Sequence, residues 1–244
     1  MDPHDPRLRS ATDVIESAHP RIQALTRHLI ADAADPVDRV ARLFTHVRDA
    51  IRYFPFSRFD HREAYRATAT LDRGVGYCVQ KAVVLVTLAR AAGFPAALHC
   101  VNIRNQRAAP HIVELMGSDR FAFHAYARVW LDGRWVGLTP AFDRLTSERH
   151  GFPLVTFDGH ADALFPPTDD QGRPFVTYVK RHGDFTDLDL DRLLEAWQEV
   201  YGADRVQLWR AMAAESTDEA LRAQVSPGEA LPDAWAGIRA DSPS

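Results

Sequence analysis

Cysteine is nearly missing from this chain, with only Cys78 and Cys100 among 244 residues. That scarcity excludes a disulfide-dense scaffold and a four-thiolate zinc site. A single pairing of the two remains open on the count. Positive charge is not in excess either: 29 Lys and Arg stand against 33 Asp and Glu, a formal net charge of -4. The balance argues against nucleic acid as a partner. Long apolar runs are lacking as well. The most apolar stretch, Ala82 to Phe94, is interrupted by Thr87 and Arg90 and falls far short of a membrane span. The opening MDPHDPRLRS is polar and has no signal-peptide core. The expectation is a cytoplasmic protein with no membrane partner. Neither G-x-x-x-x-G-K nor G-x-G-x-x-G occurs, so no nucleotide loop is indicated.

What is present reads as an ordinary globular domain with 46% hydrophobic residues, long enough to fold without a metal or disulfide staple. Val14, Ala18, Ile22, Leu25 and Leu29 recur at spacings of three and four, which predicts a helix over 10–32. Asp35-Pro36 reads as a cap and first turn of a second helix ending near Ala50. Thr70 to Gly76 reads as a loop that delivers Cys78 to the next helix. Val79 to Ala92 is apolar around much of its circumference, so that helix is expected at the centre. Gly93 and Pro95 stop it.

The period then changes. Strands are expected at Ala96 to Ile103, Phe121 to Leu131, Arg134 to Thr139 and Phe175 to Val179, with Asp132-Gly133 as a hairpin turn. Asn105 to Asp119 and the long Asp143 to Arg173 segment read as loops. Leu188 to Val200 and Asp204 to Glu215 read as helices. A single domain over 1–225 follows, with its core at 37–180, C-terminal helices over 187–215 and an irregular tail at 226–244.

Chemistry points to Cys78, His124 and the Thr139 to Asp143 segment, in the order helix start, strand, strand. A cysteine at a helix N-terminus meets unpaired N–H groups and the helix dipole, which favour the thiolate. A histidine on an adjoining strand can hold that thiolate as an ion pair and pass a proton to a leaving group. A third residue can orient the imidazole. The plainer reading of a lone cysteine beside a buried helix is packing, and it is the reading adopted for Cys100. His99, His111 and His124 do not have a zinc spacing, so no metal and no cofactor are expected. Tyr77 either packs or lines a cleft. Gln80 reads as a cap rather than an oxyanion donor, and Trp130 and Trp135 as hairpin packing. Asn102, Arg104 and Asn105 end a strand where polar side chains meet ligands.

Two stretches carry a family likeness. LDRGVGYCVQKAVVLVTLARAAGFPAALHC resembles the cysteine segment of the transglutaminase-like superfamily, and FHAYARVWLDGRWVGLTP resembles its histidine segment and hairpin. The resemblance covers about residues 37–141, and PLVTFDG is similar to an uncharacterised prokaryotic subgroup. It implies an α+β, papain-like core in which a central helix bearing the cysteine packs on an antiparallel sheet. It implies catalytic roles for Cys78 and His124. It also implies cysteine-dependent acyl transfer or hydrolysis at an amide bond through a thioester, with a peptide, amide or other acyl substrate. Amidase or peptidase action fits better than calcium-dependent crosslinking. Two alternatives stay open: a noncatalytic binding module, or an enzyme of acyl condensation or cyclisation in small-molecule metabolism. The family pattern has a catalytic Asp before Pro140, where this chain has Thr139. A threonine hydroxyl accepts a hydrogen bond but does not offset imidazolium charge. Thr139, Asp143 and Asp158 therefore all stand as candidates to orient His124. Asp143 also reads as a simple turn residue.

Overall fold

The computed structural model describes residues 1–55 and 57–214. Residues 1–19 form an irregular arm with one 3-10 turn, anchored by buried Leu8, Val14 and Ile15. The first helix, α1, runs over Pro20–Ile30, shorter than the spacing of apolar residues predicts. His19 caps it and Pro20 occupies its first turn, so the apolar spacing of residues 14–18 belongs to a non-helical segment. Helix α2 spans Pro36–Ala50, with the Asp35 carboxylate accepting the Asp38 N–H as its cap. A two-residue strand, β1 (Arg52–Tyr53), follows. The region read as a loop after Thr70 contains the end of helix α3, Ala67–Arg73, closed by Gly74 at φ 69. Strand β2 (Val75–Gly76) pairs in parallel with β1.

Helix α4 covers Cys78–Ala91, and every residue from Val79 to Arg90 is buried. A helix wet on no side must satisfy each polar side chain internally. Thr87 Oγ1 donates back to Val83 O at 2.8 Å. Arg90 donates to the carbonyls of Ser10, Ala96 and Thr186, tying the arm, the start of a later strand and the segment after another to the helix end. Lys81 Nζ donates to Arg48 O at 2.9 Å and Ile51 O at 2.6 Å, where α2 ends. It is one of only two lysines in the sequence. Burial pushes its pKa down to about 7, against the opposing pull of Asp143 and Asp49.

Strand β3 (Ala96–Asn105), helix α5 (Pro110–Met116), strand β4 (Arg120–Leu131) and strand β5 (Arg134–Leu138) follow. Next come helix α6 (Arg144–His150), strand β6 (Val176–Phe185), and helices α7 (Leu190–Tyr201) and α8 (Ala203–Ala214). The sheet is antiparallel, in the order β5-β4-β3-β6. Helix α4 lies against β3 and β4, with α1, α2 and α3 packed around it. The architecture is therefore α+β, with the cysteine-bearing helix on an antiparallel sheet. Helices α5 and α6 occupy segments expected as loops, and β6 is twice the expected length. The tail from residue 226 lies outside the described residues. No described helix is long and apolar enough to cross a membrane.

Candidate active site

Cys78 is the first residue of α4, and a set of local contacts fixes that helix start. The Gln80 side chain reaches back, its Oε1 accepting the Tyr77 N–H at 3.2 Å and the Ser57 hydroxyl at 2.6 Å. Its Nε2 donates to Arg58 O and Ala64 O. Gln80 is thus a cap that also gathers the 57–64 segment, and its amide protons are already taken. Gly76 leaves room for it, since a Cβ there would stand 3.1 Å from Gln80 Oε1. The Tyr77 hydroxyl meets the Tyr65 hydroxyl at 2.5 Å, and Tyr65 OH donates to Phe59 O. Tyr77 both packs and lines the cavity beside Cys78.

Strand β4 brings His124 to the same cavity. The residue before it, Phe123, has φ 55, a conformation that costs a bulky residue energy unless its surroundings hold it. The holding group is Asn102, on the neighbouring strand at a break in register. Asn102 Oδ1 accepts the Phe123 N–H at 3.0 Å and His182 Nε2 at 2.7 Å. The bulge sets His124 on the cavity and the Ala125 N–H at the Cys78 sulfur. Burial pushes the Cys78 thiol up to about 11, although the N–H groups of Ala125, Val79 and Cys78 and the charge of Lys81 act to lower it. Burial alone pushes His124 down to about 3. Both shifts favour the neutral form at rest, a thiol and a neutral imidazole. The helix-dipole argument for a resting thiolate has the right sign, but loss of water outweighs it.

Thr139 follows β5 and lies 1% exposed, with Oγ1 3.3 Å from His124 Nε2. Its backbone N–H is tied to Ala163 O. Asp143 is engaged elsewhere, as the cap of α6. Its carboxylate accepts the Thr146 N–H and hydroxyl and the Tyr53 N–H, and pairs with Arg52. Burial raises the Asp143 pKa, but Lys81 and these hydrogen bonds outweigh it and hold the carboxyl below its ordinary value. Asp158 is exposed and closes its own turn on the N–H groups of His160 and Ala161. Of the three candidates, only Thr139 stands within hydrogen-bonding distance of His124.

The other candidates scatter. Cys100 is 1% exposed within β3 and unpaired. His99 bonds Asp184, while His111 sits on α5 beside the cavity. Among the described residues, no group of three His, Cys, Asp or Glu is placed to hold a metal. Trp130 and Trp135 stack edge-on across the hairpin. Arg104 pairs with Asp119, and Asn105 lines the cavity.

Sequence reasoning missed the cavity walls. The cavity holds about 480 Å³. Trp197 and Tyr201, four residues apart on α7, close one side together with Trp209. They are pinned to the start of β4: Trp197 Nε1 donates to Ala122 O, and Tyr201 OH accepts the Ala122 N–H. The signal was present as an aromatic pair at one-turn spacing in the C-terminal helices.

Residues 23–140 match the model of the transglutaminase-like superfamily. Among solved structures, a proposed cysteine protease from Cytophaga hutchinsonii aligns with a TM-score of 0.45 and 15% identity, covering 75% of this chain and 55% of that one. A proposed protease from Parabacteroides distasonis aligns with a TM-score of 0.34 and 14% identity, covering 55% of this chain and 24% of that one. The chain thus spans about half the length of the first and a quarter of the second. No curated protein matches the sequence. With a cysteine-bearing central helix on an antiparallel sheet and the family match across it, residues 23–140 belong to the transglutaminase-like superfamily.

Proposed function

We propose that this protein is a cysteine-dependent enzyme that cleaves or exchanges an acyl group, most directly at an amide bond, through a thioester on Cys78. One observation carries the reading. A helix-start cysteine and a buried histidine line one cavity, and the histidine's Nε2 meets a hydroxyl. With Nε2–H donating to Thr139 Oγ1, Nδ1 keeps its lone pair and serves as the base. The Cys78 proton passes to Nδ1 as sulfur attacks the carbonyl carbon. Polarised N–H groups at the start of α4 stabilise the oxyanion. His124 then returns the proton to the departing amine as the carbon–nitrogen bond breaks. Water or an outside amine repeats the sequence in reverse to release the acyl group.

Thr139 suits this version of the chemistry. With a neutral imidazole at rest, the hydroxyl fixes the ring's orientation and tautomer, while the imidazolium formed during attack gains no carboxylate from it. The aromatic walls favour a small-molecule acyl donor over an extended peptide, which supports the condensation alternative among acyl-transfer reactions.

The test is intact-mass trapping with activated acyl donors. Wild-type protein should gain one acyl group on Cys78, His124→Ala should gain it far more slowly, and Cys78→Ala should gain none. Acylation at the same rate without His124 would remove the enzyme reading and favour a binding module.

A further inference from the structure

The cavity that holds Cys78 has a composition the thioester chemistry does not by itself require. Its walls include Phe59, Ile112, Leu115, Phe121, Trp197 and Trp209. No aspartate or glutamate is among the described residues that line it. Its charged or titratable members other than cysteine, tyrosine and His124 are Arg52, His111, Arg149 and His150, and Arg52 is held by Asp143. The short helix α5 adds a second clue. None of its residues is fully buried, yet Ile112, Leu115 and Met116 all line the cavity. They leave apolar surface facing a space of about 480 Å³, within the roughly 300–1,000 Å³ typical of small-ligand sites.

Resting on the acyl-transfer reading, we propose that the acyl group this cavity takes is bulky and apolar, either aryl-bearing or a medium alkyl chain, and carries no positive charge. An apolar chain would remove water from these walls, and each buried methylene contributes roughly fourfold in affinity. A cationic chain would have to give up its hydration with no carboxylate among the described lining residues to receive it, a large uncompensated cost. An anionic or neutral far end meets only basic or neutral groups.

The experiment uses the full chain and p-nitrophenyl esters of acetate, hexanoate, 3-phenylpropanoate and 6-aminohexanoate. In each reaction the sulfur–carbon bond forms, the ester carbon–oxygen bond breaks, and the Cys78 proton leaves with p-nitrophenol. Acylation is read by p-nitrophenol release and by intact mass. Hexanoyl and 3-phenylpropanoyl should exceed acetyl by at least about tenfold in kcat/KM, well below the ceiling that four buried methylenes set. The 6-aminohexanoyl ester should stay near acetyl. Ile112→Glu should shrink the hexanoyl advantage and raise the 6-aminohexanoyl rate. Equal rates across the series, or a preference for the amine-bearing chain, would overturn the assignment while leaving the Cys78 thioester intact. If no ester acylates Cys78, the acyl-transfer reading fails instead. Calorimetric titration with 3-phenylpropanamide and 3-phenylpropylamine then decides the assignment: binding of the amide but not the amine upholds it, and any other result overturns it.

Discussion

The alkylation of Cys78 as a function of pH tests the electrostatics of the site directly. A thiol raised to about 11 is ionised at pH 7.5 to roughly one part in 3,000, against about one in ten for an unperturbed cysteine. A more basic thiolate is also more nucleophilic, which recovers a factor of roughly ten. Iodoacetamide should therefore label Cys78 about 30-fold more slowly than a free cysteine at pH 7.5. The rate should climb about tenfold per pH unit from 7 to 10 without a plateau. Buried Cys100, whose thiol is also pushed well up by burial, should remain unlabelled in the folded protein. Pseudo-first-order rates by intact mass, with peptide mapping to assign the site, give the profile. Thr139→Asp should break the slope, because a carboxylate beside His124 favours the imidazolium and, through it, the thiolate. A wild-type rate that is flat from pH 5 to 8 and faster than free cysteine would refute the reasoning. It would mean that a resting ion pair survives the loss of water.

Three further outcomes follow from particular contacts. Thr139→Val removes the hydroxyl at His124 Nε2 and should lower kcat for acyl transfer about tenfold with KM little changed, the scale of one neutral hydrogen bond; an unchanged kcat would remove Thr139 from the site. Asn102→Ala leaves the Phe123 N–H and His182 Nε2 without their shared acceptor. It should cost about 2 kcal/mol in urea unfolding and lower kcat as the bulge relaxes; full stability and activity would contradict the role given to Asn102. Lys81→Met tests a buried charge. Its folded pKa of about 7 lies below the ordinary lysine value of 10.5, so the unfolded chain binds more protons between those values and stability rises with pH there. The rise is at most about 1.4 kcal/mol per unit. From pH 7 to 9 the wild type should gain stability relative to Lys81→Met, and parallel curves would show that the lysine does not titrate in that window.

Much of the fold was legible because it rests on local signals. The Asp35-Pro36 cap, the Gly93 stop and the Asp132-Gly133 turn each specify geometry over a few residues. The errors share a cause in tertiary context. Val14 and Ala18 extend the spacing of α1, but Pro20 and its histidine cap set the true start. Strand β6 carries Lys180, Arg181, His182 and Asp184 at its polar sheet edge, so it lacks the apolar alternation that marks a strand. Within the candidate site, the placing of Cys78 and His124 on one cavity followed from their order and surroundings. The preference for Thr139 over Asp143 did not, because it depends on where the carboxylate of Asp143 is already bound. Asn102 was readable only as a polar strand-end residue, since its function lies in a backbone angle one strand away.

The near absence of lysine has a consequence for transfer chemistry. Lys81 keeps its amine against two carbonyls inside the protein, and Lys180 is the only other side-chain amine in the sequence. It lies half-exposed on an edge strand beside Glu199. An enzyme that passes acyl groups to amines risks modifying itself, and this chain offers such a reaction a single accessible lysine. Its surface basicity rests almost wholly on arginine, whose guanidinium stays protonated and is a poor acyl acceptor. On the proposed chemistry, a stable side-chain amide on the protein would therefore be expected at Lys180 and not at Lys81.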